Sequence, residues 1–456
     1  MKNNLSKGMI TLLILGLIYC ITACATPNSS PHVVLVSVDG LRPEIYLEAD
    51  RLGLKMPTLR KMMTQGTYAE KVRGVFPTLT YPSHTSLVTG VTPARHGIIT
   101  NRTPDGAHRV HASAIKATTL WQAAHRKGLT TASVAWPVTV GADIDFLIPE
   151  NPESGAPTLT GALRLGSTPG LFDTLESELG PIKLPAFNAP GAVAKLDTAV
   201  TSIAARLLID EKPNLLLVHL LDADEQQHAH GPDSAQAHRA FEAIDGHIGT
   251  LLQAVRQAGI AQSTTIVVVG DHGFAGIHTS ISVPALLAQA GSYQGKEFNL
   301  SRLTIYATGG AAALYAADPT DKKLAEFISS RIAPYLENHY AAYLRVYTPE
   351  DLAGEGGFPG ALLALTAAPG YAFTRKATVE GVFSPSTQKG THGFAPDMPE
   401  MATGFIIMGP GVYQNKSLPI LHITTVAPVI AHILNLKLDA TAPSSVEKEI
   451  FRSDGK

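Results

Sequence analysis

The sequence predicts an α/β fold with a mainly parallel sheet flanked by helices, and two features of its pattern support this prediction. Short apolar runs rich in β-branched residues recur along the chain, and longer helical stretches separate them. Runs of that kind are typical of strands buried on both faces. Strands that alternate with helices favour parallel pairing, because each connection must cross back over the sheet.

The predicted strands are HVVLVSVDG near the start of the chain and then TASVAW, NLLLVHLL, TIVVVG and GFIIMG. Helical stretches between them include residues 119–127 and 235–257, which are followed by Gly128 and Gly259. Glycine is common just after a helix because it readily adopts the left-handed backbone conformation. Together these elements account for most of a large α/β core.

Two segments interrupt the alternation. Residues 149 to about 194 are rich in Pro and Gly and have little periodicity, and residues 291–389 separate the TIVVVG strand from a later His-Gly pair. We interpret the second segment as an inserted smaller subdomain or cap. The catalytic core would then comprise residues 33–290 and residues 390–456.

The N-terminus has the pattern of a secretory signal. Lys2 and Lys7 precede an apolar run over residues 9–21, which is short for a membrane span, and small residues then precede Cys24. Residues 21–24 also resemble a bacterial lipobox, in which the cysteine is lipidated. We expect a signal peptide over residues 1–23, a tether over residues 24–32, and an exported lipoprotein that is membrane-anchored and faces the periplasm. A simple cleaved signal and an uncleaved anchor are the alternatives.

The composition excludes several kinds of site and partner. Both cysteines, Cys20 and Cys24, lie in the leader, so the rest of the chain has no disulfide and no thiolate ligand. The formal net charge is -2, and loss of Lys2 and Lys7 with the leader makes it -4. This balance gives no electrostatic footprint for nucleic acid, and no feature indicates a protein partner.

The stretch FPTLTYPSHTSLVTG places the hydroxyl of Thr80 just before a predicted helix. Pro82 and Ser83 are typical of a helix start, and Gly90 is typical of its end. Free backbone N–H groups at a helix N-terminus bind anions such as phosphate, so a nucleophile there would face its substrate. A purely structural turn is the alternative interpretation.

Acidic residues follow three of the predicted strands. Asp39 ends the first, Asp222 and Asp224 follow NLLLVHLL, and Asp271 with His272 follows TIVVVG. Open α/β sheets bind ligands at the carboxyl ends of their strands, so we expect these side chains to converge. Taken alone, Asp271 has a role in a turn as an alternative, whereas Asp39 ends a buried strand, where a charged residue needs a partner.

Two further histidines complete a predicted metal site. His228 follows Asp224 by four positions, which places both side chains on one face of a helix. His392 lies far along the chain in KGTHGFAP. Carboxylate and imidazole ligands without thiolate suit zinc or another divalent ion. A surface ion pair and a solvated loop histidine are the alternatives.

These motifs resemble the nucleotide pyrophosphatase/phosphodiesterase family of the alkaline phosphatase superfamily, over essentially the whole chain after the leader. The flanking stretches VTGVTPARHGI, AWPVTVGADID, HAHGP and PDMPEMATGFIIMGPG also fit. The resemblance implies an alkaline-phosphatase-like sheet with an inserted subdomain and two divalent metal ions, with zinc preferred. It assigns to one ion Asp39, Thr80, Asp271 and His272, and to the other Asp224, His228 and His392.

The family resemblance also implies a reaction. It is the hydrolysis of phosphodiester or pyrophosphate bonds in nucleotide-like substrates, through a covalent phospho-threonine intermediate at Thr80. Tyr81 matches a position that stacks on the nucleotide base, although packing under the loop is an equal alternative. Ser83 stands where many members have Asn, and we assign it to phosphate binding.

Other functions remain as alternatives. A phosphomonoesterase usually adds a cation to meet the extra phosphate charge, and no Arg or Lys adjoins Thr80, although Arg73 and Arg95 could fold back. A phosphonate hydrolase of the same superfamily is also possible, whereas a sulfatase is disfavoured because its nucleophile derives from Cys or Ser. A non-catalytic lipoprotein that binds metal or phosphate is the alternative from another class.

Overall fold

Strands and helices alternate along the protein in the computed structural model, which describes residues 30–293, 299–376, 381–440 and 444–452. The strands are, in chain order, β1 (His32–Val38), β2 (Thr67–Ala69), β3 (Val72–Arg73), β4 (Thr131–Val134), β5 (Phe146–Ile148), β6 (Leu215–Leu220), β7 (Thr264–Gly270), β8 (Ala275–Ser282), β9 (Leu303–Ala307), β10 (Ala311–Ala316), β11 (Leu344–Tyr347), β12 (Leu363–Ala367), β13 (Gly370–Thr374), β14 (Phe383–Pro385), β15 (Gly390–Thr391), β16 (Phe405–Met408), β17 (Lys416–Leu418) and β18 (Leu421–His422). The α-helices are α1 (Glu44–Leu47), α2 (Ala49–Leu52), α3 (Pro57–Gln65), α4 (Thr80–Thr89), α5 (Pro93–His96), α6 (Leu120–Arg126), α7 (Leu159–Arg164), α8 (Leu171–Leu179), α9 (Ala192–Asp210), α10 (Asp222–His230), α11 (Ala235–Gln257), α12 (Val283–Tyr293), α13 (Lys322–Phe327), α14 (Ala333–Tyr340), α15 (Pro349–Glu355), α16 (Val426–Leu434) and α17 (Ser444–Ile450).

Eight strands form the main sheet, in the order β17-β2-β16-β7-β1-β6-β4-β5. Pairing is parallel from β7 to β5, and β16 runs antiparallel to both of its neighbours. The five strands predicted from the sequence are all present, as β1, β4, β6, β7 and β16. The predicted fold class is therefore confirmed.

Strand β1 lies in the middle of this sheet, and its sequence explains the position. All seven of its residues are buried. Val34 and Val36 pack in one core with α9 and α11, whereas Val33 and Leu35 pack in a second core with α4, α6 and α16. Full burial of a Val or Leu side chain contributes about 1.5–3 kcal/mol. A strand that is apolar on both faces is therefore most stable between two helical layers.

A smaller group of strands follows β7 in the chain. Strands β9 to β12 form an antiparallel sheet in the order β11-β12-β10-β9, and β8 pairs with β13, β14 and β15. Buried residues of both groups, including Ile281, Leu314 and Leu365, share one core with α12. The antiparallel sheet falls within the predicted inserted segment, whose limits at 291 and 389 stay a prediction. The earlier stretch, 149–194, contains the short helices α7 and α8.

The predictions about export and the membrane concern mainly residues that the structure does not describe. Within the described parts of the chain, no helix is long and apolar enough to cross a membrane. The predicted leader, the lipidation residue Cys24 and the first part of the tether lie outside the described residues. Export, cleavage and lipid anchoring therefore stay predictions.

Candidate active site

Three neighbouring strands bring the predicted acids together. Strands β7, β1 and β6 are adjacent in the main sheet, and Asp271, Asp39 and Asp224 follow them in the chain. Asp224 lies in α10, which begins directly after β6. Because parallel strands end at the same edge of a sheet, the three carboxylates meet there.

Thr80 is the first residue of helix α4, which ends at Thr89. The helix begins two residues before the predicted Pro82–Ser83 start, so the Thr80 hydroxyl lies at the N-terminus itself, among backbone N–H groups without helical partners. Gly90 ends the helix with a φ of 74°. A Cβ there would lie 2.9 Å from the ring of Pro428, so this close approach requires glycine.

In the first predicted set, three oxygen donors lie close to the fourth donor, Nε2 of His272. Asp271 Oδ2 lies 3.1 Å from it, Asp39 Oδ1 lies 3.2 Å away, and Thr80 Oγ1 lies 3.4 Å away. Oxygens from two carboxylates and a hydroxyl around one imidazole nitrogen form a donor set that can hold a divalent ion.

The second predicted set is centred on Asp224. Its Oδ2 lies 3.5 Å from His228 Nε2, and its Oδ1 lies 3.6 Å from His392 Nε2. Both distances are longer than a hydrogen bond, so the side chains are grouped but not bonded to one another. Donor atoms of these three residues lie within 4.8 Å of one another, as do those of Asp39, Asp224 and His272. Asp224 therefore adjoins both sets.

All three predicted histidine ligands present Nε2 to the carboxylates. In each of them Nδ1 donates to a backbone carbonyl at 3.0 Å. For His272, His228 and His392 the carbonyls belong, respectively, to Gly273, Gly390 and Thr78. A proton held on Nδ1 leaves the lone pair of Nε2 available to a metal.

The buried carboxylates also fit a cation. Two of the three carboxylates each use one oxygen in hydrogen bonds to the protein. Asp271 Oδ1 accepts from two backbone N–H groups at 3.0 Å, and Asp39 Oδ2 lies 3.1 Å from His219 Nε2. The other oxygens, Asp271 Oδ2 and Asp39 Oδ1, together with Asp224 Oδ1, are buried without a hydrogen-bond partner among the described residues. A buried carboxylate oxygen without a hydrogen bond is costly, so a divalent ion bound by these atoms would be stabilising.

Burial, together with neighbouring charges, shifts the pKa values in this cluster. Burial and the neighbouring charge of Asp39 raise the pKa of Asp271 to about 7, and burial raises that of Asp224 well above its ordinary value. Burial would lower the pKa of His272, but Asp271 and Asp39 raise it to about 9. Burial lowers the pKa of His228 to about 4. A bound cation would favour the ionised carboxylates and the neutral imidazoles that ligation requires.

A cavity of about 510 Å³ opens onto this cluster. Thr80 and the second ligand set, Asp224, His228 and His392, all line it. Its size falls within the range of small-molecule sites. A substrate in this cavity would therefore contact the proposed nucleophile and metal ligands at the same time.

Asn101 lines the same cavity and was not predicted from the sequence. Its Oδ1 accepts a hydrogen bond from the backbone N–H of Tyr81 at 2.9 Å, which holds the side chain next to Thr80. The Nδ2 amide group keeps its donors for a ligand. In TNRTPD nothing distinguishes this residue from an ordinary turn asparagine, so only the fold reveals it.

His219 is a second residue that sequence analysis missed. Its Nε2 lies 3.1 Å from Asp39 Oδ2, and its Nδ1 lies 3.3 Å from the Ala135 carbonyl oxygen. His219 therefore orients Asp39 from behind the ligand set. The available signal was a lone polar residue inside the apolar strand NLLLVHLL, which requires a buried partner.

Ser83 and Tyr81, the two predicted substrate-binding residues, are both buried. Ser83 Oγ has no hydrogen-bond partner among the described residues, and its fully buried side chain offers no surface to a ligand. The Tyr81 hydroxyl donates to Glu150 at 2.7 Å, and its ring centroid lies 6.1 Å from that of His108, which lines the cavity. Their roles in substrate binding stay predictions.

Different arginines from those considered in the sequence line the cavity. Arg73 is paired with Glu355 at 2.8 Å, and Arg95 lies in the short helix α5. Arg102 and Arg375 instead contribute to the cavity wall. Neither adjoins Thr80 in the chain, so sequence proximity could not identify them.

Comparison with known proteins identifies the family. The family model described as type I phosphodiesterase / nucleotide pyrophosphatase matches residues 33–395. The chain belongs to this family. The resemblance drawn from the Thr80, Asp224 and Asp271 motifs is thereby confirmed.

Curated relatives within this family are identical to the chain at about a quarter of the aligned residues. Human ectonucleotide pyrophosphatase/phosphodiesterase family member 1 is 26% identical over 343 residues, which are 72% of this chain and 32% of that protein. Human bis(5'-adenosyl)-triphosphatase ENPP4 is 24% identical over 439 residues, 94% of this chain and 84% of that protein. Venom phosphodiesterase 2 of Crotalus adamanteus is 23% identical over 433 residues, 91% and 47% of the two chains. The chain spans 25–32% of the length of the first relatives it matches.

Solved structures show the same fold. Human ectonucleotide pyrophosphatase/phosphodiesterase 5 superposes with a TM-score of 0.66 at 21% identity, covering 92% of this chain and 99% of that one. An inactive variant of the murine protein in complex with AMP also gives 0.66, at 19% identity, with 92% and 100% coverage. This likeness agrees with the α/β architecture described above.

Proposed function

We propose that the protein is a metal-dependent hydrolase of phosphodiester or pyrophosphate bonds in nucleotide-like substrates, with Thr80 as its nucleophile. The observation that carries the proposal is that Thr80 Oγ1 and the free oxygens of Asp39 and Asp271 all lie within 3.4 Å of His272 Nε2. A hydroxyl in this setting, at a helix N-terminus, is suited to attack on phosphorus. Family membership, and the complex of a murine neighbour with AMP, support a nucleotide-like substrate.

The donor atoms suit two divalent ions, and their mixed carboxylate and imidazole character favours zinc. The residues that would hold the first ion are Asp39, Thr80, Asp271 and His272, and those for the second are Asp224, His228 and His392. When bound, the ions would supply Lewis acidity and positive charge at the reacting oxygens. The side chains and backbone of the protein would orient the substrate and the nucleophile.

The proposed reaction has two steps. Thr80 Oγ1, having lost its proton, forms a bond to phosphorus while the bond to the leaving oxygen breaks and that oxygen takes up a proton. Water then attacks the same phosphorus of the phospho-threonine intermediate, and Oγ1 departs and regains its proton. In both steps the Nδ2 group of Asn101 would donate to a non-bridging phosphate oxygen. The net reaction consumes one water molecule.

The N-terminal pattern adds a location to the proposal. A lipobox ending at Cys24 supports an exported lipoprotein held at the membrane. Cys24→Ala should abolish incorporation of labelled fatty acid, and a Cys20→Ala control should retain it. Incorporation into Cys24→Ala would contradict the lipid anchor.

The test of the activity is turnover of the zinc-loaded protein on p-nitrophenyl thymidine 5′-monophosphate and on p-nitrophenyl phosphate. We expect a preference for the diester and a loss of at least about 10³-fold in Thr80→Ala. An unchanged circular dichroism spectrum and a cooperative thermal unfolding transition would establish that the variant is folded. Turnover by Thr80→Ala close to that of the wild type would overturn the proposal.

A phosphomonoesterase is the second candidate, because Arg102 and Arg375 line the cavity that contains Thr80. Guanidinium groups meet the extra negative charge of a monoester well. A Thr80-dependent preference for p-nitrophenyl phosphate in the same assay would select this function over the diesterase.

A further inference from the structure

Two exposed arginines lie on the wall of the catalytic cavity. Arg102 and Arg375 line the cavity together with Thr80. Among the described residues, neither forms an ion pair with an acid. Arg345, by contrast, holds Asp397 with bonds of 2.8–2.9 Å. Within the described chain the two cavity arginines are therefore outside any direct ion pair, although the charge of Arg102 acts on Glu153 and lowers the pKa of that carboxyl.

One loop orients both guanidinium groups. Arg102 Nη1 donates to the Gly106 carbonyl at 2.8 Å, and Arg375 Nη1 donates to the Pro104 carbonyl at 3.2 Å. A backbone bridge between Arg102 and His108 closes the same loop. Neutral carbonyls direct a guanidinium without cancelling its charge, and each group keeps further N–H donors for a ligand.

The acids close to these arginines have other partners. Glu153 accepts from the His108 backbone N–H at 2.7 Å and contacts His108 Nδ1 at 2.6 Å, and Asp105 accepts from the Thr103 hydroxyl. Asp224 is the one carboxylate on the cavity wall within the described chain, and it belongs to a predicted metal-ligand set. The same wall also carries uncharged polar side chains, among them those of Thr100, Asn101, Thr308 and Gln388. The cavity is thus suited to a substrate with more than one anionic group.

We infer that Arg102 and Arg375 bind a second phosphate group of the substrate, in addition to the scissile one. The inference rests on the proposed function, which places the scissile phosphate at Thr80. Thr80 is only 8% exposed, whereas both arginines are exposed, so the guanidinium groups would meet a part of the substrate nearer to solvent. A substrate with a P–O–P bond carries an anion there, and a simple aryl or alkyl diester does not.

A matched pair of substrates tests this assignment. Thymidine 5′-diphosphate and p-nitrophenyl thymidine 5′-monophosphate share the nucleoside and the scissile phosphorus, and they differ in whether the other arm is charged. Arg102→Gln and Arg375→Gln should each reduce kcat/KM for the diphosphate by roughly tenfold, which is the effect expected for loss of one charge-assisted hydrogen bond. Each should reduce kcat/KM for the aryl ester much less. Arg331→Gln, which changes an exposed arginine outside the cavity wall, should leave both values unchanged.

Binding without turnover provides a second readout. In a Thr80→Ala background, calorimetry can compare the affinities of thymidine 5′-diphosphate and thymidine 5′-monophosphate. Adding Arg102→Gln or Arg375→Gln should reduce the advantage of the diphosphate, while the matching Lys variants should keep part of it because they retain the charge.

Each outcome decides between distinct conclusions. Equal losses on both substrates would overturn the inference and assign the arginines to the scissile phosphate, and the absence of any loss would also overturn it. If the wild type hydrolyses neither substrate, the proposed function itself fails. That failure is visible before any arginine variant is compared.

Discussion

The imidazole rings of His272 and His392 stack face to face, with centroids 3.6 Å apart and planes inclined by 7°. His272 belongs to the first predicted ligand set and His392 to the second, so the two sets share a wall. Asp224, whose donor atoms group with ligands of both sets, lies beside this wall. The stack makes the two candidate metal sites one structural unit, and we expect changes in one set to affect the other.

Metal removal should destabilise the protein, because the ions would bind the folded arrangement of Asp39, Asp224 and Asp271 and not the unfolded chain. Free metal at a hundredfold excess over Kd contributes about 2.7 kcal/mol for each site, so the midpoint of thermal unfolding should fall by several degrees after chelation. Addition of zinc should restore it. Thermal unfolding at a fixed protein concentration measures the effect, and a midpoint that responds to neither chelator nor zinc would contradict the metal assignment.

Ligand substitutions should reduce the amount of bound metal. Asp271→Asn removes a ligand of the first set and His392→Asn one of the second, and each should lose about one of two bound ions. Elemental analysis of the purified proteins measures the stoichiometry. His278→Asn is the matched control, because that histidine is exposed on β8. Full metal content in either ligand variant would show that the residue is not a ligand.

Asn101 and Ser83 offer alternative contacts for the substrate phosphate, and alanine variants distinguish them. Asn101→Ala should lower kcat by about 10²–10³-fold, the usual cost of losing one oxyanion donor. Ser83→Ala should change it by less than about twofold, because removal of a buried hydroxyl without a partner is nearly neutral. Turnover of the aryl diester measures both effects. The reverse order would assign phosphate binding to Ser83, as the family resemblance predicted.

Asp197 should make stability depend on pH. Its carboxylate accepts the N–H groups of Leu221 and Asp222 at 2.8 and 3.0 Å, and burial raises its pKa to about 7. The folded state therefore binds more protons than the unfolded state between pH 4 and 7, where an unfolded Asp titrates near 3.9. This contribution is complete below pH 4 and is lost as the pH rises to 7, by at most about 4 kcal/mol.

The Asp197→Asn variant isolates that contribution. The variant cannot titrate at this position, so its free energy of unfolding should increase relative to that of the wild type as the pH rises from 4 to 7. Urea unfolding of both zinc-loaded proteins at four pH values measures the difference. Parallel pH profiles would show that burial does not shift the Asp197 pKa in this way.

The strands and the acids that follow them were predictable because their signals are local. Apolar runs predicted β1, β6 and β7, and the acids Asp39, Asp224 and Asp271, which come at or shortly after the ends of these runs, lie together in the structure. The N-terminus of α4 was displaced by two residues from the prediction, because Pro82 is tolerated within the first turn of a helix as well as at its start. In the structure Leu79 has an extended backbone, with a φ of -119° and a ψ of 152°, and its carbonyl accepts from the Ser83 N–H at 2.9 Å, so the helix begins at Thr80.

Asn101, His219, Arg102 and Arg375 show where sequence analysis stopped. Each lies in a loop or strand whose local pattern has an ordinary structural explanation. Their positions in the cavity or beside it depend on contacts with residues far away in the chain. His219 contacts Asp39, and Arg375 donates a hydrogen bond to the Pro104 carbonyl. Ser83 illustrates the reverse case, since its position near Thr80 in sequence does not give its side chain access to the cavity.

The sequence by itself determined the fold class, the family and the residue types of the candidate metal site. These follow from apolar periodicity and from acids at strand ends, and parallel pairing then brings those ends to one edge. Only the tertiary structure decided which oxygens are free, which histidine nitrogen faces them, and which asparagine and arginines share the cavity. Those properties depend on distances between elements remote in the chain, and packing of the two helical layers and the smaller sheets sets such distances.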